Sequence, residues 1–454
     1  MENERIGRSL QLHVLVYLTA FVLQIALARW AVDKAAFGNY AFHLSLAQSI
    51  AILAGLGVPT AALRFVSRHL AHRQGEKARR LAKKAYTLAG LGWLSAAGGL
   101  VLFAFTLKGP GFIGLCWAAV MIPLFGLRFM NESMAKTQHR PGMTLVPGGI
   151  LQPLLMLGIC AGLSASRENS LSANQLLLVA TIALLVSASG QMLWLIRAKI
   201  RYPSANRKHP GSEDPPRDFT TQEILRVALP MLLVTGLGIA MSQCDIIMLR
   251  WMKGDAATGE YFVAVRLSWT TVLPLVSVNL FAAATYASLW ELKAIEDMRV
   301  KARLYSRFIC LGTLPVAFVM VVGGNRVLAW HGSEYLAAYI PLVILVLGQC
   351  VNASVGSTGL LLSMTGYQDI VARIFAPCAL VNIIANACLI PSMGPTGAAI
   401  ATASSLVIWN VLLLRIIWQK LKLDTSWLNL LPGHMGRFEG QVPDYENASS
   451  GPSV

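Results

Sequence analysis

Apolar residues occupy most of the chain in runs of about 20 or more, and a helix of that length can cross a bilayer. We predict twelve such spans. Their approximate limits are 10–32, 37–58, 84–106, 111–130, 143–163, 171–196, 224–249, 259–289, 307–322, 336–364, 371–390 and 396–418. Because the runs are continuous and do not alternate with polar residues, they indicate an all-α integral membrane protein. The tenth run is long and contains Gly348, Asn352 and Gly356, so we expect a kink or a strong tilt there.

A repeated motif divides the chain into two halves. The pattern R-W-x4-A-A-x-G-x-Y begins at Arg29 and again at Arg250, with an offset of 221 residues. Each copy follows the first span of a group of six, and an even number of spans makes the repeat parallel. We therefore predict a six-helix bundle at 1–200, a cytoplasmic linker at 201–220, a second six-helix bundle at 221–420 and a disordered cytoplasmic tail at 421–454.

Composition and charge agree with a membrane location. Charged residues make up 13% of the chain and hydrophobic residues 55%, so the charged content is about half that of a typical soluble domain. The net charge of +16 invites a nucleic-acid interpretation. With the N-terminus placed inside, however, 30 of the 38 Lys and Arg residues fall on the inner side, which is the usual bias of cytoplasmic loops. We expect both termini to be cytoplasmic and no nucleic-acid partner.

Ionisable side chains inside spans are costly, so each is a candidate functional residue. The candidates are Arg29, Arg128, Asp245, Arg250 and Arg266, followed by His13 and His43. Snorkelling to the headgroups explains Arg29 and Arg250 equally well, and it suffices for Arg128 near the inner end of the fourth span. Arg266 lies deeper, roughly 10 Å below the start of the eighth span.

Asp245 is the only acid that the predicted limits place clearly within a span. It is either a coupling residue or half of a structural ion pair, and its spacing from Arg250 puts the two on different helix faces. Its partner should therefore come from another helix, with Arg29 or Arg266 as candidates. No G-x-S-x-G, H-E-x-x-H, Walker A or C-x-x-C pattern occurs, so we expect no catalytic residues, no cofactor and no metal site.

Further stretches resemble a known family. They are GLGVPT at 55–60 with RFV at 64–66, LP at 229–230 with DIIML at 245–249, and Asn382 with LIP at 389–391 and GPTGAA at 394–399. Together with the repeated hairpin, they resemble the polysaccharide transporter, or O-antigen flippase, family of the multidrug/oligosaccharidyl-lipid/polysaccharide (MOP) exporter superfamily. The resemblance covers about residues 10–420.

The resemblance implies two six-helix bundles around a central cavity. It also implies that the protein moves an undecaprenyl-diphosphate-linked oligosaccharide across the bacterial inner membrane for lipopolysaccharide or other surface-polysaccharide synthesis. Arg29, Arg250 and Arg266 then become candidates to bind the diphosphate, with His43 and Arg128 as further candidates for substrate binding. The expected partners are the lipid-linked oligosaccharide and membrane lipids, and a polysaccharide polymerase or another glycan-assembly protein is a further candidate.

Two other functions compete with the flippase. A cation-coupled drug exporter of the same superfamily handles cationic compounds and needs buried carboxylates, whereas the charge within these spans is mostly positive and favours an anionic substrate. A membrane enzyme of glycan assembly would carry its chemistry on a large outer loop. The predicted outer loops are all short, for example at 108–111 and 164–170.

The predicted topology can be tested with reporter fusions. Fusions after Lys84, Thr221 and Lys422 should all report cytoplasm, because the basic residues concentrate on that side. A fusion within the loop at 108–111 should report the opposite side and serves as the control. A periplasmic signal from any of the first three fusions would contradict the map.

Overall fold

A computed structural model of the protein describes residues 2–71, 74–107, 111–137, 141–166, 170–197, 220–421, 423 and 425. Within those residues every named secondary-structure element is a helix, which confirms the predicted all-α fold. One isolated parallel bridge joins Ala31 to Leu171. The predicted linker lies outside the described residues except at Thr220, as does almost all of the predicted tail.

Sixteen helices are named along the described chain, α1 to α16. They are α1 Glu2–Trp30, α2 Lys34–Ala54, α3 Val58–Ala71, α4 Gly75–Leu107, α5 Phe112–Lys136, α6 Pro141–Val146, α7 Gln152–Ser166, α8 Ala173–Arg197, α9 Thr221–Ser268, α10 Leu273–Glu291, α11 Ile295–Val322, α12 Gly324–Ala329, α13 Tyr339–Ser354, α14 Thr358–Met364, α15 Gln368–Met393 and α16 Pro395–Lys420. A π-helical turn at Pro147–Leu151 joins α6 to α7, and two 3-10 segments, Trp269–Val272 and Ser333–Ala338, precede α10 and α13.

Most of these helices are long and apolar enough to cross a membrane. Among the described residues ten qualify, and eleven if α2 and α3, which bend by 51°, form one broken span. Their outward faces are apolar: Leu91, Leu94 and Leu102 of α4 are 60%, 62% and 70% exposed. So much exposed apolar surface is suited to lipid and would be a liability in water.

The longest apolar run contains two of the predicted spans. Met241–Ala283 has 43 residues, which would measure about 64 Å as one helix, against a hydrocarbon core of about 30 Å. Within α9 the backbone leaves helical geometry at Gly254, with φ 86° and ψ −177°. Gly254 stands between Lys253 and Asp255, so a polar turn separates two helices. Division there separates the predicted seventh and eighth spans within the described residues; the predicted total of twelve spans stays a prediction.

The chain packs as two compact units, Met1–Arg250 and Trp251–Val454. We call Met1–Arg250 unit 1 and Trp251–Val454 unit 2. By its contacts, the part of α9 up to Arg250 belongs to unit 1 and the remainder of α9 to unit 2. The predicted division into bundles at 1–200 and 221–420 stays a prediction.

Helix boundaries recur at nearly the same offset as the sequence motif. α4 and α11 begin at Gly75 and Ile295, 220 residues apart, and α8 and α16 begin at Ala173 and Pro395, 222 residues apart. Within the motif, the two tyrosines are both buried, with exposures of 4% for Tyr40 and 0% for Tyr261, and both glycines are buried. The motif therefore marks the buried face of the helical turn that follows each hairpin.

Helix α5 forms the centre of unit 1, where it packs on α2, α3, α4 and α8. Close packing depends on two glycines, because a Cβ at Gly114 would overlap the His43 ring and one at Gly126 would overlap the Trp93 ring. The Trp93 indole also donates a hydrogen bond to the Ala51 carbonyl oxygen, at 2.9 Å. Small residues let helices approach closely where the hydrophobic effect cannot drive association.

Polar side chains join the helices of unit 1. Tyr86 of α4 donates to Asn131 of α5 at 2.7 Å, and the Asn131 amide donates to the Ala188 carbonyl of α8 at 3.0 Å. The Gln191 amide donates to the Met143 carbonyl at 2.9 Å. Such bonds between helices stabilise a bundle in lipid by about 0.6 kcal/mol each on average.

Within the described residues of unit 2, an apolar core is shared by α10, α11, α13, α14 and α16. A carboxamide bond crosses it, from Asn410 of α16 to Asn352 of α13, at 3.1 Å. The predicted kink in the tenth span is confirmed: α13 ends at Ser354, and Gly356 has a φ of +70° before α14 begins.

The second span of unit 1 is also broken. Leu56 and Gly57 between α2 and α3 have φ values of 50° and 70°. The break keeps its backbone bonded, since the Val58 amide donates to the Gly55 carbonyl at 2.9 Å. A Cβ at Gly57 would overlap the Ala228 carbonyl oxygen of α9. Only glycine meets both demands, a left-handed backbone and a close approach to another helix.

We expect Gly57→Ala to destabilise the protein, by about 1–3 kcal/mol for the left-handed backbone and by a further amount for the overlap with Ala228. Thermal unfolding of the purified protein would show a lowered midpoint. Gly90→Ala is the matched control: no atom lies within 4 Å of a Cβ at Gly90, and alanine is favoured in a helix interior by about 1 kcal/mol. Equal midpoints for the two variants would contradict this role of Gly57.

Candidate functional site

Arg29, the first of the predicted arginines, lies beside a hydrogen-bonded turn at the end of α1. Arg29 lies in the last turn of α1 and is exposed. Beyond it, the Val32 amide donates to the Leu171 carbonyl at 3.0 Å and the Leu171 amide donates to the Trp30 carbonyl at 2.6 Å. Asp33 caps α2 by accepting the Ala36 amide at 2.7 Å. These bonds hold the end of α1, and with it the backbone of Arg29, in one position.

Arg250 of α9 and His43 of α2 both contact the Phe42 ring of α2. The Arg250 guanidinium carbon lies 5.6 Å from the centroid of the Phe42 ring, a cation–π distance. The Phe42 and His43 rings meet edge to face at 4.9 Å between centroids. His43 is 2% exposed, and its Nδ1 lies 2.8 Å from the Asn39 carbonyl oxygen. The structure thus unites two of the predicted residues through Phe42, an aromatic ring that the sequence did not single out.

Arg266 and Asp245 occupy different units. Arg266 is half-buried in the helix that follows Gly254, with its guanidinium carbon 4.8 Å from the centroid of the Phe262 ring. Asp245 of unit 1 is 2% exposed, and its Oδ1 accepts the Ile246 amide at 2.8 Å. The predicted partnership of Asp245 with Arg29 or Arg266 stays a prediction. His13, on α1, is 9% exposed.

Arg128 belongs to a polar cluster inside unit 1. Its Nε donates to the Glu132 carboxylate at 3.0 Å, and its Nη1 donates to the Gln152 side-chain oxygen at 2.8 Å. Both charged side chains are 24% exposed. The guanidinium passes over Gly148, where a Cβ would overlap it. Arg128 is therefore held by partners and does not simply snorkel.

Glu132 corrects the prediction that Asp245 is the only acid within a span. The fourth span was expected to end at Met130, but α5 continues to Lys136 and carries Glu132 with it. The sequence signal was the spacing of Arg128 and Glu132, since residues four apart share a helix face. An apolar window ends at the first polar residues, whereas an ion pair lets the helix extend past them.

The π-helical turn at Pro147–Leu151 is a second feature that sequence reasoning missed. The Thr19 hydroxyl of α1 donates to the Gly149 carbonyl of this turn at 2.9 Å, and Arg128 covers the neighbouring Gly148. Single π-helical turns occur often at functional sites. Its only sequence signal was the Pro147-Gly148-Gly149 triplet.

We expect the Arg128–Glu132 pair to contribute far more to stability than an exposed pair of the same spacing. Arg128→Ala should cost about 3–5 kcal/mol, because it leaves the partly buried carboxylate without its cation. The double variant Arg128→Met/Glu132→Leu should regain much of this loss. Unfolding midpoints of the single and double variants would measure the coupling.

Arg80 and Glu76 form the control pair for that cycle, at 3.9 Å with side chains 74% and 92% exposed. Their coupling should lie within about 1 kcal/mol of zero. Equal coupling energies for the two pairs would show that the Arg128 cluster is an ordinary surface contact.

Solved structures of similar fold are transporters. An inward-facing multidrug resistance MATE family transporter of the MOP superfamily matches with a TM-score of 0.67 at 13% identity, over 91% of this chain and 99% of that one. A MOP superfamily transporter from Pyrococcus furiosus matches with a TM-score of 0.63 at 13% identity, over 92% and 96%. The lipid II flippase MurJ in an inward closed conformation gives 0.62 at 13% identity, over 89% and 86%. At such identities the likeness shows the fold alone.

Sequence comparison narrows the family. The "Probable flippase AglR" of Haloferax volcanii is 27% identical over 188 residues, which are 39% of this chain and 38% of that protein. The chain thus matches well under half the length of this relative. Residues 6–286, more than half of the chain, match the family described as polysaccharide biosynthesis protein. The protein is a multi-pass membrane protein with the MOP superfamily fold, and it belongs to the polysaccharide biosynthesis protein family.

Proposed function

We propose that the protein is a flippase for a lipid-linked oligosaccharide, carried on undecaprenyl diphosphate, in the assembly of a surface polysaccharide such as O-antigen. Membership in the polysaccharide biosynthesis family and the similarity to a flippase support the class of function. The single observation that supports an anionic substrate is the excess of arginine over acidic residues within the spans and at their ends.

The distribution of charge in the spans favours an anion over a cation. Arg29, Arg250 and Arg266 each stand in or at the end of an apolar span, and Arg250 and Arg266 lie over aromatic rings. Of the acids in the spans, Glu132 is already paired with Arg128 at 3.0 Å. A guanidinium can donate two parallel hydrogen bonds to one phosphate, which makes arginine the residue of choice for a diphosphate.

A drug exporter is the competing function, because several structural neighbours are MATE transporters. That likeness supports the fold and not the substrate. An exporter of organic cations needs carboxylates that face its cargo, and the described spans present more arginine than acid.

The proposal includes a location and partners. We place the protein in the bacterial inner membrane with both termini in the cytoplasm, where the lipid-linked unit is completed. A polysaccharide polymerase on the opposite side would receive the flipped unit. The protein makes and breaks no covalent bond in this scheme, so it acts as a transporter and not as an enzyme.

The proposal predicts that Arg266 is needed for glycan export. Arg266→Ala should abolish most surface glycan in a strain that relies on this protein, because the diphosphate loses a bidentate donor. Arg266→Lys should also lose much of it, since charge without the planar fork is not equivalent. Surface glycan would be measured beside the amount of protein in the membrane.

Arg415→Ala is the control, because Arg415 is an exposed arginine of α16. It should leave surface glycan unchanged. Full export by Arg266→Ala at normal protein levels would remove Arg266 from the site. Loss of drug resistance with intact glycan in a deletion strain would instead support the exporter.

A further inference from the structure

Unit 1 contains a cavity of about 150 Å³ beside the break between α2 and α3, with a largely apolar wall that includes four polar side chains. This is about ten times the volume that one water requires. Its walls come from the end of α2, the break at Gly57, the start of α3, the last two turns of α5, and Leu232 of α9. The polar side chains in its wall are Thr60, Glu132, Ser133 and Lys136. Neither Phe42 nor His43, which lie beside Arg250, lines this cavity.

Two hydroxyl groups line this cavity without partners. Ser133 is only 9% exposed, so its hydroxyl is largely removed from solvent. Among the residues that the structure describes, neither Ser133 nor Thr60 has a hydrogen bond from its side chain. The nearly buried Ser133 side chain and the exposed Thr60 side chain both offer a hydroxyl donor to the same cavity, which suits a ligand that accepts hydrogen bonds.

The charges around the cavity favour an anion. Lys136 lies in the last turn of α5 and has no ion pair within the described part of the chain. Glu132 is neutralised by Arg128, whose Nε lies 3.0 Å from its carboxylate. The remaining charge is therefore one positive charge from Lys136. The N-terminal end of the 14-residue helix α3 adds the positive end of its dipole at Pro59 and Thr60.

We propose that this cavity is a phosphate-binding site, formed by the Lys136 ammonium and the hydroxyls of Ser133 and Thr60. An ammonium and two hydroxyls together can donate hydrogen bonds to several oxygens of one phosphate, and the charge on Lys136 strengthens its share. A carboxylate ligand would offer only two oxygens. Gly57, whose backbone bends the chain at the cavity, places the start of α3 against the site.

The source of the phosphate follows from the proposed function, on which this step rests. The predicted topology places the last turn of α5 on the cytoplasmic side, where the lipid-linked diphosphate is presented. In the predicted topology, the basic segment 64–84, which follows Thr60 along the chain, adds further positive charge on that side. The site would hold the diphosphate of the lipid-linked substrate before it reaches the deeper arginines.

The test is a titration of the full-length protein in detergent with inorganic pyrophosphate at constant ionic strength. Wild type should bind saturably. Lys136→Gln should weaken this binding by about tenfold or more, the effect of losing a charged hydrogen-bond donor. Ser133→Ala should weaken it about threefold, as expected for a neutral donor. Thr60 is exposed, so Thr60→Val tests its hydroxyl with little risk to folding.

Lys420→Gln is the matched control, because Lys420 also lies in the last turn of a long apolar helix. It should leave pyrophosphate affinity within about twofold of wild type, the scatter expected of a surface substitution. Equal weakening by Lys136→Gln and Lys420→Gln, or no saturable binding by wild type, would overturn the site. Stabilisation by sodium that Glu132→Gln abolishes, without a response to pyrophosphate, would assign the cavity to a cation and also overturn it.

The site and the proposed function can fail separately. Lys136-dependent binding of pyrophosphate together with a full supply of surface glycan in a deletion strain would keep the site and reject the flippase. Loss of glycan in that strain, with pyrophosphate binding insensitive to Lys136→Gln, would keep the flippase and reject the site.

Discussion

The fold depends on one constraint: inside a bilayer every backbone amide and carbonyl must find its partner within the protein. Helices satisfy that demand, and three interruptions among the described residues are each closed by a specific bond. At the break after α2, the Val58 amide reaches back to Gly55. At the corner after α1, Leu171 bonds to both sides of the turn through Trp30 and Val32. In the π-helical turn, the Thr19 hydroxyl donates a hydrogen bond to the Gly149 carbonyl oxygen. At these three places, neighbouring residues supply the bond that the interrupted helix lacks.

The same constraint governs the charged side chains. Arg128 is held between Glu132 and Gln152, while Arg250 and Arg266 lie over aromatic rings. An aromatic face stabilises a guanidinium without using its hydrogen-bond donors. We propose that these aromatic contacts hold Arg250 and Arg266 in position for the anionic substrate.

Much of the fold could be predicted from the sequence, because hydrophobic runs and a repeated motif are local signals. The all-α fold, the approximate positions of the spans and the kink at Gly356 came from residue type and spacing. The extension of α5 past Met130 did not, since it depends on the bond between Arg128 and Glu132 within a folded bundle. The cavity at Ser133 and the placing of Arg250 over Phe42 were also hidden. Both depend on contacts between residues that are far apart in the sequence, and hydrophobic periodicity does not predict such contacts.

Movement of a lipid-linked oligosaccharide across a membrane is the central claim, and reconstitution tests it most directly. The purified protein would be placed in vesicles that carry a diphosphate-linked oligosaccharide in both leaflets, and a glycosidase would be added outside. If the protein is a flippase, the enzyme should digest the whole glycan pool. Vesicles without protein should lose only the outer-leaflet pool. Digestion limited to the outer leaflet despite folded protein, with uptake of an organic cation in the same vesicles, would contradict the claim.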